Sequence, residues 1–214
     1  MLSNIYFVIL GISFLISSTV YWRKDAPAYF KFFPPFLLLT IIVEFAGRIM
    51  AQSNVPNIPL YAVFLPSEFV FYFLILSYII QSARWKKLIR HSCWVYSIMI
   101  LASIVWVGIN SFPTIIYSVG CILLISFCSR YFYETFEMPN SSNPLREPNF
   151  WIVCALFIFY GGSLPVWIAT NLMYDFSDNT LHLLSTILLS LNYILYSSFT
   201  IAFLCNLKPS KPLS

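Results

Sequence analysis

MLSNIYFVILGISFLISSTVYWRK, residues 1–24, carries no charged side chain until Arg23 and Lys24. Roughly 20 apolar residues at about 1.5 Å each cross the ~30 Å hydrocarbon core of a bilayer. The run therefore predicts a membrane-spanning helix closed by positive charge. It does not read as a cleaved leader, because its first basic residues follow the apolar run instead of preceding it. Six more apolar stretches repeat the theme, which gives expected spans at 4–21, 33–51, 60–81, 93–109, 112–132, 150–170 and 181–204.

The basic residues orient those spans. Eleven of the twelve Lys and Arg fall in four clusters at alternate gaps: Arg23, Lys24 and Lys31; Arg84, Lys86, Lys87 and Arg90; Arg130 and Arg146; Lys208 and Lys211. Positive charge beside short loops resists translocation, so all four clusters belong in the cytoplasm. The expected architecture is all-α: a single seven-helix transmembrane bundle, N-terminus out and C-terminus in, in a bacterial inner membrane. Trp22, Trp85, Trp94 and Trp151 fall near one interface and Trp106 and Trp167 toward the other, as an aromatic belt requires.

Composition agrees. Hydrophobic residues make up 59% of the 214 and charged residues 9%, against about 25% charged in soluble domains. The bilayer is thus the main partner. The +4 net charge belongs to the topology signal, and no basic run is suited to nucleic acid. Seven spans consume the length, so an output would pass to a separate cytoplasmic or membrane signalling partner. The connection 133–149, with Glu134, Glu137, Arg146 and Glu147, is the longest surface available for one. The five cysteines lie in or beside apolar stretches and read as packing residues.

Ionisable residues inside spans are the candidates for function, because charge within a bilayer is costly. Glu44 and Arg48 are four residues apart in FLLLTIIVEFAGRIM (36–50) and are expected to pair on one helix face. Glu68 lies two residues after Pro66 in VFLPSEFVFYF (63–73), with Tyr61 and Tyr72 on its face. It must pair with Arg48, accept hydrogen bonds from these tyrosines, meet water or be protonated. The seventh span carries a polar stripe that includes His182, Ser185, Thr186, Asn192, Tyr196 and Thr200, expected to bond to other helices. His182 opens that span beside Asp175 and Asp178, where it could gate an outward pocket. Tyr160-Gly161-Gly162-Ser163-Leu164-Pro165 permits close helix approach and a kink, and Pro66 is expected to break the third helix.

No metal and no cofactor is implied. The spans contain no Lys for a retinal Schiff base, and the chain has no paired-histidine metal motif, phosphate-cradling glycine loop or Gly-x-Ser-x-Gly. A sugar transporter of the SWEET type would show matching prolines in two halves, which are absent.

LPSEFVFYFLIL (65–76), EPNFWIVCALFIFYGGSLPVW (147–167) and LHLLSTILLSLNYILYSSFTIAF (181–203) resemble a group of small seven-helix membrane proteins of Bacteroidota. The resemblance rests on Glu68-Phe69, Pro148-Asn149-Phe150-Trp151-Ile152 and His182. It implies the architecture and singles out Glu68 and His182, without supplying an activity. The expected function is a sensor or signalling module with a small outward-facing polar pocket lined by Glu44, Arg48, Glu68 and His182. The alternatives are an intramembrane lipid hydrolase, in the broad manner of lysoplasmalogenases, or a proton- or ion-coupled carrier.

Overall fold

The computed structural model describes residues 2–137, 143–172 and 177–207. Among them there is no strand, and seven helices are long and apolar enough to cross a membrane. They are α1 (Leu2–Ser18), α2 (Phe33–Gln52), α3 (Ile58–Ile79), α4 (Ala83–Val107), α5 (Thr114–Glu137), α6 (Pro148–Leu172) and α7 (Asp178–Leu207). The chain is a multi-pass, seven-helix membrane protein.

Two helices run past their expected ends for a physical reason. α4 begins at Ala83, ten residues before the apolar stretch at 93, because the basic turn Arg84–Arg90 continues the helix beyond the hydrocarbon. α5 extends to Glu137 and takes up part of the expected loop; residues 138–142 of that connection lie outside the described residues.

α1, α2, α3, α5, α6 and α7 form a ring in which each packs on the next, with α6 on α7 the broadest contact. α3 is the most buried helix, while α4 leans on the outside of α3 and α5 and is the least buried. Lipid tails are as apolar as the side chains, so packing rather than water exclusion holds such helices together. Gly162 lets α6 approach α7 closely, since a methyl there would meet Leu191. Pro66 does not break α3, which runs on through it.

Much of the packing is aromatic, as the 19% aromatic content allows. Phe33 meets Phe71, Phe199 and Phe203 edge to face at 5.3–5.5 Å. Phe36 stacks on Phe71 at 3.8 Å, and Phe73 meets Tyr96 and Phe127 at 5.5 and 5.4 Å. Pairs of this kind contribute about 0.5–1.5 kcal/mol each beyond their buried area. They fill the half of the bundle nearest the basic loops.

That end is also tied by polar contacts. Glu134, buried on α5, accepts from the backbone N–H of Gln81 (2.8 Å) and Ser82 (3.2 Å) at the entry to α4. It pairs with Arg130 at 3.1 Å, whose guanidinium lies over Trp85 and Tyr133. Glu134 is a buried structural anchor, not the loop residue its position in 133–149 suggested.

Candidate functional site

The opposite half of the bundle is hollow. Two adjoining cavities, of about 410 and 570 Å³, share Glu44, Asn57, Tyr61, Leu188 and Asn192 on their walls. At the α2–α3 turn, Asn57 and the half-exposed Ile58 line the inner cavity. This is the end away from the basic loops. Ile58 to Glu68 is ten residues of helix, or roughly 15 Å at 1.5 Å per residue, so the carboxylate sits near mid-membrane.

Glu68 is the group at the floor. Its side chain is 7% exposed and lines the inner cavity. No protein hydrogen bond or ion pair reaches it among the described residues. One turn on, the Tyr72 hydroxyl is fully buried and also unpartnered. Tyr72 lies below the cavity and not on its wall. Buried polar groups are satisfied in the great majority of cases, so the Tyr72 hydroxyl is an exception directly beneath the cavity.

The expected pairings are rearranged. Tyr61 donates to Glu44 Oε2 at 3.2 Å and not to Glu68. Gly47 makes this possible, because a Cβ there would fall on the Tyr61 hydroxyl. Arg48 does not pair with Glu44. Its Nη1 donates to Asn4 Oδ1 on α1 at 3.0 Å, and its guanidinium lies 5.6 Å from the centre of Phe7. An i,i+4 spacing brings two side chains near each other, but here neighbouring helices offer each a better partner. Arg48 lines the outer cavity only.

His182 is exposed at the start of α7 and lines neither cavity. Its backbone carbonyl accepts from the hydroxyls of Ser185 and Thr186 at 2.8 Å each. Asp175 lies outside the described residues. The α7 stripe bonds across helices in part: Tyr196 meets Tyr6 of α1, ring to ring at 5.8 Å and through a hydrogen bond between their side chains, while other members bond within α7. Asn192 Nδ2 bonds to the carbonyl of Leu188 and Thr200 to that of Tyr196, the back-bonding that polar side chains use in apolar surroundings. Asn192 nevertheless lines both cavities. Glu44, Tyr61, Glu68 and Asn192 are thus brought together, Arg48 is confined to the outer cavity, and Tyr72 and His182 are outside.

Sequence reasoning missed the aromatic wall. Phe112, just before α5, stacks on Trp167 of α6 at 4.5 Å and 14°, and Tyr117 meets Trp167 at 5.3 Å. With Phe159 and Tyr196 they enclose the inner cavity. The signal was weak, since an aromatic in an apolar span reads as packing until its neighbours are known.

No protein-family model, curated protein or solved structure matches the chain.

Proposed function

We propose that this protein is a sensor or signalling module of the bacterial inner membrane. It receives a small molecule from outside in the Glu68 cavity and passes its state to a separate partner at the basic, cytoplasmic end. The observation that carries this reading is Glu68: a carboxylate at mid-membrane, buried, facing a cavity and held by no group among the described residues. Ionisable groups at such depth are costly and are kept for function. The orientation rests on the basic clusters, which mark the cytoplasmic side. The aromatic packing below Tyr72 closes the floor of the cavity, which favours reception over passage. A ligand seated there would touch α2, α3, α5, α6 and α7 at once and could alter their packing at the far end.

The hydrolase reading keeps one supporting observation. Glu44 and Glu68 line the same cavity, and two carboxylates in different environments can serve as acid and base.

The test is Asn192→Cys in sealed vesicles of known orientation, with wild type as blank, probed by a membrane-impermeant thiol reagent. The sensor reading expects labelling from the outer face alone. Labelling from both faces supports the carrier, and labelling from neither removes the pocket. Release of aldehyde from a lysoplasmenyl lipid, lost in Glu68→Gln, would replace the sensor with the hydrolase.

A further inference from the structure

We infer that the inner cavity is built for an organic cation, an amine or quaternary ammonium group that stands against Glu68 with aromatic faces around it. The inference rests on the pocket reading above and names what the pocket takes.

The charge of the wall comes first. Among the described residues, the inner cavity is lined by two carboxylates, Glu44 and Glu68, and by no Lys, Arg or His. Glu44 has the Tyr61 hydroxyl, whereas Glu68 has no hydrogen-bond or ion-pair partner among the described residues. The nearby cation, Arg48, lines only the outer cavity and is held by Asn4 and Phe7. A cation supplies the counter-charge that an ionised carboxylate needs at this depth, and an anionic ligand cannot.

The rest of the wall selects the kind of cation. Six rings face the inner cavity: Tyr61, Phe112, Tyr117, Phe159, Trp167 and Tyr196. Aromatic faces carry negative quadrupole density and attract ammonium groups, Trp most strongly. The Phe112–Trp167 stack and the Tyr117–Trp167 contact make that wall continuous. A bare metal ion would want a shell of oxygens at short range, and this wall offers mostly rings and leucines. The volume of about 410 Å³ falls within the range of small-molecule pockets, roughly 300–1,000 Å³. It suits a carbon skeleton bearing one positive group.

The experiment uses the full chain in nanodiscs and calorimetric titration with four probes of similar size. These are benzyltrimethylammonium, phenethylamine, the neutral 2-phenylethanol and the anion phenylacetate. The expected result is saturable binding of both cations, about tenfold or more tighter than the alcohol, with no binding of phenylacetate. Glu68→Gln, which keeps shape, should weaken the cations about tenfold or more while leaving the alcohol unchanged. The proposal is overturned if neither cation binds, if the alcohol or phenylacetate binds as tightly, or if a folded Glu68→Gln binds the cations like wild type. Should that variant fail to fold, the four-probe series on wild type decides. Outer-face labelling of Asn192→Cys with no cation binding would leave the pocket standing and remove only its ligand class. Absence of labelling would remove the pocket itself.

Discussion

Tyr61 of α3 crosses to α2 and donates its hydroxyl to Glu44 at 3.2 Å. The donor available to one cavity carboxylate is thereby spent, and Glu68, two turns along the same helix, is left to the cavity. The two carboxylates are therefore not equivalent. Glu44 is held by Tyr61, and Glu68 faces the cavity.

Gly47 is the residue that lets Tyr61 reach. Alanine is worth about 1 kcal/mol over glycine in a helix interior, so Gly47→Ala would stabilise α2 if nothing lay against it. Here the added methyl would meet the Tyr61 ring, and overpacking costs about 1–3 kcal/mol. Thermal unfolding in detergent should show Gly47→Ala at or below wild type. A clear rise in melting temperature would show that Tyr61 does not lie over position 47.

Glu134 should be the most sensitive carboxylate for stability. Its removal leaves two backbone N–H groups at the entry to α4 and the Arg130 guanidinium without their acceptor. Breaking a buried charged contact costs about 3–5 kcal/mol. Glu134→Ala should therefore unfold well below Glu137→Ala, which loses only an exposed bond from Tyr133. Equal melting temperatures would place Glu134 in solvent.

Arg48→Ala is expected to be mild. The side chain is partly exposed and loses one bond to Asn4 and a contact with Phe7, worth about 1–2 kcal/mol together. A loss as large as that of Glu134→Ala would mean that Arg48 pairs with Glu44 after all.

Reporter fusions test the orientation that the basic clusters imply. Fusions after Asn57 and Ser177 should report outside, and a fusion after Lys87 inside. The opposite pattern would turn the cavity end of the bundle to the cytoplasm.

Span number was legible because an uncharged run of bilayer length admits few other readings, as residues 1–22 illustrate. The start of α4 was not, since Arg84–Arg90 is too polar for a span yet continues the helix above it. Glu68 stood out as a lone carboxylate in an apolar run. Its lack of partners among the described residues was less visible, because helical spacing put Tyr61 and Tyr72 on its face. Only the packing of α2 on α3 shows Tyr61 turned to Glu44. Arg48 misled for a similar reason, as Asn4 lies 44 residues away and no local spacing points to it. His182 was polar and helix-initial, which describes an interfacial residue as well as a pocket residue, and it is the former. Trp167 and Phe112 could not be told from packing aromatics until α5 and α6 were set side by side.

α3 passes from the cavity into a closely packed aromatic floor. Leu65 lines the cavity, and Ser77, twelve residues on and roughly 18 Å deeper, is fully buried. The most direct measurement is the labelling rate of Leu65→Cys and Ser77→Cys by an impermeant thiol reagent on each face of sealed vesicles. Position 65 should react from the outer face only, and position 77 from neither. An inert position 65, or a position 77 that reacts, would contradict this arrangement.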